Sequence, residues 1–169
     1  MTKKKMELAN EKIVEQNGSD AQGQAVMEVF LKALRKKRLK YNYAAELENR
    51  ICFNKHGMSF IADVDCEDNY VIICMMHKIM IDLKDEKSLS MLRKAINATN
   101  HLCNVTTYYD KDDEVGVAIV LTKSIIHFVV DNPNFEMELG LTLETCLGAK
   151  YLLREFMKRI KKETTGKKE

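Results

Sequence analysis

The sequence is poor in the residues that punctuate turn-rich β-proteins: its 169 residues include seven glycines, one proline and no tryptophan. So few glycines and prolines argue against an all-β sandwich, whose short strands need frequent turns. The hydrophobic share of 46% is ordinary for a globular domain and excludes a wholly disordered or collagen-like chain. A formal net charge of +2 is too small to indicate a polyanionic partner by itself.

Long apolar runs and paired cysteines are also missing. The longest apolar run, residues 70–76, is far shorter than the roughly 20 residues needed to cross a bilayer. Residues 1–15 are charged throughout and lack the apolar stretch of a secretory signal. We therefore expect a soluble, cytoplasmic protein with no membrane contact. The five cysteines are odd in number and form no CxxC pair, so we expect small buried hydrophobic residues and not a disulfide framework.

The spacing of apolar residues predicts an α+β fold. Helical spacing occurs over about 21–39, 85–101 and 133–161, with Asp85 and Asn132-Pro133 as start signals. Strand patterns occur over 50–55, 58–65, 70–81, 103–110 and 115–121, and the last continues, or a further strand follows, to 129. His56-Gly57 and the acidic turn 110–114 predict hairpins, which make the sheet antiparallel. The predicted order is α-βββ-α-ββ(β)-α.

The composition changes twice along the chain. Residues 1–20 are polar and predict a charged N-terminal extension that ends in a loop-like Asn-Gly-Ser-Asp cluster. Residues 21–162 predict a single domain, and residues 163–169 a basic, frayed tail.

No catalytic or metal-binding signature is present. The sequence has no GxSxG, GxGxxG or Walker-type loop. Among the possible zinc ligands, only His101 and Cys103 are close in sequence, and the acidic turn after Asp110 has Val115 where a calcium loop needs glycine. We therefore predict no enzyme, no catalytic residue, no metal and no cofactor. A His–Cys pair that only folding would assemble stays open.

Two basic stretches, 32–40 and 158–168, are candidates for phosphate contact. Both lie at predicted helix C-termini, where cations are favourable in any case, and neither has interleaved aromatic residues. Nucleic acid is therefore not favoured. A sensor for a small ligand or nucleic acid remains the alternative function.

The strand predicted over 70–81 is apolar on both faces, which is typical of a strand covered on both sides. A single layer of helices covers one face only. The second face needs the N-terminal extension, a second subunit, a bound peptide or a helix of its own. The predicted protein-contact residues are three on this strand and two tyrosines near the sheet edge: Ile73, Met75, Ile79, Tyr41 and Tyr43.

The order of elements, with Asn97 and Asn100 at the end of the second helix before a Tyr-acidic hairpin, resembles the YbjN-like family of bacterial proteins. That family is grouped as proposed sensory transduction regulators, and the resemblance covers about residues 22–160. It often has Trp before the second Asn, where this chain has Thr99. The resemblance implies a type III secretion chaperone-like fold and structural roles for Asn97 and Asn100. It also implies a cytoplasmic, non-enzymatic module, often dimeric, that binds other polypeptides.

These observations lead to one functional hypothesis. We expect a homodimeric chaperone- or adaptor-like module in bacterial signalling regulation that binds a protein or peptide partner. The sequence does not name that partner.

Overall fold

The computed structural model describes residues 24–45 and 47–165, so the predicted N-terminal extension and residues 166–169 lie outside it. Within the described residues, three helices and six strands follow one another. They are α1 (24–36), β1 (Tyr41–Ala44), β2 (Leu47–Lys55), β3 (Met58–Asp65), β4 (Tyr70–Asp82), α2 (Glu86–Leu102), β5 (Thr106–Asp112), β6 (Val117–His127) and α3 (Phe135–Thr165). None of these helices combines the length and the apolar character that a membrane crossing requires.

The six strands form one antiparallel sheet in the order β1-β2-β3-β4-β6-β5. The α+β class and the antiparallel hairpins are thus confirmed. In the β2–β3 hairpin, Lys55 pairs with Met58 across a two-residue turn. His56 and Gly57 both have positive φ angles, 50° and 72°, as the tight turn between right-twisted strands requires.

The strand count before α2 is four and not the predicted three, because β1 was missed. This strand has only four residues, lies at the outer edge of the sheet and shows no alternation of buried and exposed side chains. Without one face fully buried, its sequence carries little period-two signal. At the other end, β6 is one continuous strand that stops at His127, because Phe128 takes a φ angle of 54°. No seventh strand forms among the described residues.

The predicted start of α2 is confirmed, whereas α3 begins at Phe135, two residues after the predicted first position Pro133. The Asp85 carboxylate accepts the Ser88 N–H at 3.0 Å at the start of α2. The Asn132 side chain accepts the Asn134 N–H at 2.9 Å, just before α3. α3 begins at Phe135 and continues to Thr165, beyond the predicted helix end near 161 and into the predicted tail.

The described helices pack on one face of the sheet, where two hydrophobic clusters form. In the first, Phe30 of α1 makes edge-on ring contacts with Phe53 of β2 and Phe135 of α3, both at 6.4 Å. In the second, Leu92 of α2 and Leu153 of α3 are buried with β6 and the end of β4. α3 contributes to both clusters and so joins the two halves of the core.

Asn100 fastens the end of α2 to the start of β5. Its side-chain NH2 donates to the Thr107 carbonyl at 2.8 Å, and its carbonyl accepts the Thr107 N–H at 2.7 Å. Thr107 is buried, so both of its main-chain groups depend on this amide. Asn97 lies exposed on the same helix. Thr99, at the position where the YbjN-like family often has Trp, is buried and donates to the Ala95 carbonyl at 2.9 Å.

We expect the Asn100→Ala variant to lose about 2–3 kcal/mol of unfolding free energy, because two hydrogen bonds disappear and buried backbone groups lose their partners. Urea denaturation followed by circular dichroism measures this loss. The Asn97→Ala variant is the matched control and should change stability by less than about 0.5 kcal/mol. Equal losses in the two variants would contradict the role assigned to Asn100.

Candidate functional site

β4 presents apolar side chains to both faces of the sheet, and only one face lies beneath the helices. Val71, Ile73 and Met75 alternate on the helix side and are fully buried at 0% exposure. Ile72, Cys74 and Met76 therefore point to the opposite face. They belong to neither hydrophobic cluster of the described residues.

Neighbouring strands extend this second face into a continuous surface, here called the open sheet face. The strand register places its side chains in three cross-strand rows. The rows are Arg50-Asp63-Ile72-Ile125, Cys52-Ile61-Cys74-Lys123 and Ser59-Met76-Leu121-Tyr108. Met76 is 38% exposed and Ile125 42% exposed, which is high for large apolar residues at the middle of a sheet.

Two contacts join ionisable groups on the open sheet face. Arg50 and Asp63 form a two-pronged ion pair with N···O distances of 2.5 and 3.1 Å, and this carboxylate raises the pKa of Arg50. The Cys74 Sγ lies 3.9 Å from the Tyr108 hydroxyl. Burial raises the pKa of the Cys74 thiol and raises that of Tyr108 to about 12. Both groups are therefore neutral at physiological pH, and Cys74 is not an activated thiolate.

The structure does not bring the predicted contact residues together. Ile73 and Met75 lie beneath the helices and are closed to any partner, so the prediction chose the wrong face of β4 for them. Ile79 is half-buried against the second cluster. Tyr41 packs against the core from β1, and Tyr43 beside it is 54% exposed, three strands away from β4 in the sheet order.

The side-chain pattern contained a signal for the correct face. The odd-numbered positions of β4 acquire one polar residue, His77, and end with Ile79 and Ile81, whereas the even-numbered positions acquire the charged residues Lys78 and Asp82. The face that gains charges is the one away from the helices.

A chain of buried polar side chains runs through the helix side of the sheet. His77 Nε2 lies 2.6 Å from the Thr122 hydroxyl, which lies 3.0 Å from the Thr107 hydroxyl next to Asn100. His77 is only 3% exposed, and its Nδ1 has no hydrogen-bond partner among the described residues. Burial, and then the positive charges of Lys150 and Arg154, lower the pKa of His77 to about 4. The imidazole is therefore neutral at physiological pH.

His77 and Cys74 point to opposite faces of the sheet, so they do not form a His–Cys pair. In the described part of the chain, no group of three or more His, Cys, Asp or Glu side chains is gathered as a metal ion would need. All five cysteines are free.

The buried imidazole makes stability depend on pH. An unfolded chain protonates His77 near pH 6.5 whereas the folded chain resists until about pH 4, so the unfolded state binds more protons in this range. Stability is therefore expected to fall as the pH drops from about 6.5 to 4, by on the order of 3 kcal/mol. The His77→Gln variant keeps a polar partner for Thr122 and has no imidazole to titrate.

Urea denaturation at a series of pH values compares the two proteins. The difference in unfolding free energy between wild type and His77→Gln should change steadily across this interval and level off on both sides. A constant difference would show that His77 titrates equally in both states and would contradict the lowered pKa.

Comparison with known proteins supports the fold and leaves the activity open. No protein-family model matches the chain, and no curated protein matches it. An uncharacterized protein from Methanothermobacter thermautotrophicus has a crystal structure that superposes with a TM-score of 0.59 at 14% identity, covering 79% of this chain and 97% of the other. The crystal structure of YbjN from E. coli, proposed to be a transcription regulator, gives a TM-score of 0.55 at 12% identity, covering 76% of this chain and 89% of YbjN. The chain has a YbjN-like fold. At such identities these likenesses establish the fold alone.

Proposed function

We propose that this YbjN-like chain is a non-enzymatic, chaperone- or adaptor-like interaction module that forms a homodimer through its open sheet face. The observation that carries the proposal is the apolar surface around Ile72, Met76 and Ile125, on the face away from both hydrophobic clusters. Exposed apolar patches of this kind on folded proteins mark sites of protein contact. A regulatory role is in keeping with the proposal made for YbjN.

The chemistry of the open sheet face fits a second copy of the same chain. Its apolar centre is bordered by charges of both signs, from Arg50, Asp63 and Lys123. A surface that carries both signs can complement itself across a two-fold axis. The six strands have 52 residues together, which at ~3.3 Å per residue and ~4.8 Å between strands gives a face of roughly 800 Å². A standard interface buries about 800 Å² on each partner.

The alternative function, a nucleic-acid or small-ligand sensor that uses the basic helix ends, has less support than the interaction module. Lys36 at the end of α1 pairs with Glu136 at 2.6 Å, and Lys158 on α3 pairs with Glu155 at 2.8 Å. These carboxylates neutralise part of the charge that phosphate groups would use.

We expect the Met76→Glu variant to weaken dimerisation by at least about 100-fold, because it buries an unpaired carboxylate at the centre of the interface. Native mass spectrometry and light scattering on the untagged protein at micromolar concentration measure the mass. Wild type should give two chains and the variant one.

The matched control is Met137→Glu. Met137 lies on α3 and is 60% exposed, so the same substitution there should leave the dimer intact. A monomeric wild type at tens of micromolar would overturn the proposed homodimer. Equal dimerisation of the two variants would exclude the open sheet face as its interface.

A further inference from the structure

β4 is longer than the strand beside it, and part of its edge is therefore left without a neighbour. The pairing of β3 with β4 ends where Ser59 faces Met76. β4 continues to Asp82, and there it pairs on its other side with β6, from Met80↔Ile119 to Asp82↔Val117. Residues 78–82, here called the β4 free edge, thus have no strand on the β3 side among the described residues. At ~3.3 Å per residue, this edge is about 16 Å long.

A groove of about 440 Å³ lies along this edge. All five residues of the β4 free edge line it, together with Asp85, Ser88 and Met91 of the α2 region and Met157 of α3. The walls of the groove are apolar. They are formed by half-buried Ile79 and Ile81 and by Met80, Met91 and Met157. A strand edge beside a helix is the arrangement by which several domains bind an extended peptide as an added strand, with backbone hydrogen bonds for affinity and the groove for side chains.

The charges around the groove are separated between its two ends. At one end, Lys78 lines the groove. Burial, and then the positive charges of Arg154 and Lys78, lower the pKa of Lys150, so cations of α3 add to the positive charge at this end. At the other end are the carboxylates of Asp82 and Asp85, which accept the Lys84 N–H at 2.8 Å and the Ser88 N–H at 3.0 Å. An acidic side chain at the Lys78 end would relieve the repulsion between the cations.

The two outer strands are less suited to pairing with another chain. β1 has four residues and an irregular register between Tyr43 and Ala44. β5 carries Asp110, Lys111 and Asp112 in succession, and charges on an edge strand discourage added strands.

We propose that the β4 free edge binds an extended segment of a partner protein by strand addition. The apolar side chains of that segment enter the groove, and one of its acidic residues faces Lys78, Lys150 and Arg154. This inference rests on the proposed interaction function and gives it a second surface, separate from the dimer interface.

The probe is a fluorescein-labelled synthetic peptide of six residues that alternates Val and Thr and has two Glu at one end. Fluorescence anisotropy should show saturable binding with a Kd below 1 mM. Hydrogen exchange followed residue by residue should show that, among residues 78–82, the amides that point away from β6 exchange quickly in the free protein and at least 10-fold more slowly with peptide.

A peptide of the same charge with Pro at two central positions should bind at least 10-fold more weakly, because proline removes the N–H groups that pair with the edge. On the protein side, Lys78→Gln should weaken binding about 5-fold. Lys111→Gln, an exposed lysine on the outer strand β5, is the matched control and should not change the Kd.

Three results would overturn the proposal: no binding at 1 mM peptide, equal binding of the proline peptide, or slow exchange in the free protein of the amides in 78–82 that point away from β6. Tighter, salt-sensitive binding of a single-stranded oligonucleotide that displaces the peptide would also overturn it and would support a nucleic-acid site.

The Ile125→Glu variant separates the two proposals, because Ile125 lies on the open sheet face opposite Ile72, far along β4 from Lys78. It should be monomeric and still bind the peptide with an unchanged Kd. A monomeric wild type that binds the peptide would refute the homodimer and support peptide binding at the groove. A dimeric wild type that does not bind the peptide would refute peptide binding at the groove alone.

Discussion

The structure depends on one constraint: a β-sheet has two faces, and the described helices pack on only one of them. β4 and β6 are neighbouring interior strands of the sheet, and both carry apolar side chains on the second face as well, at Ile72, Met76 and Ile125. Apolar surface left in water forgoes about 25 cal/mol of stabilisation per Å². In the proposed homodimer, a second copy covers this face, so the free energy of burying it is gained when two chains associate and not when one chain folds. The proposed interaction function follows because this face is left uncovered by the described helices.

α3 determines where the rest of the molecule lies. Its first half packs with α1, where Phe135 contacts Phe30, and its second half carries Leu153 into the other cluster. An ion pair between Lys55 and Glu144, at 2.7 Å, links it to the β2–β3 hairpin. Ion pairs that water reaches contribute little free energy, so the two hydrophobic clusters hold α3 in place. The same helix then places Lys150, Arg154 and Met157 beside the β4 free edge.

Local chemistry in the sequence predicted the hairpins and the helix starts, because turn and cap residues such as Gly57, Asp85 and Asn132 act on their immediate neighbours. Long-range features were less accessible. β1 has no buried face to give it a pattern, and the contact residues Ile73 and Met75 were assigned to the wrong side because both faces of β4 are apolar over residues 70–76. The two hydrogen bonds of Asn100 depend on Thr107, which only the fold brings to it.

The place where β4 becomes a free edge coincides with the buried polar chain. The register between β4 and β6 shifts between Met76 and Met80, and His77 lies within that shift, bonded to Thr122. Leaving one imidazole nitrogen without a partner costs about 1–3 kcal/mol, which the surrounding packing must offset. A bulge of this kind bends a strand locally and increases its twist. The pairing of β3 stops at the same level because β3 itself begins at Met58, directly after the His56-Gly57 turn, so the turn and the bulge together mark where the groove begins.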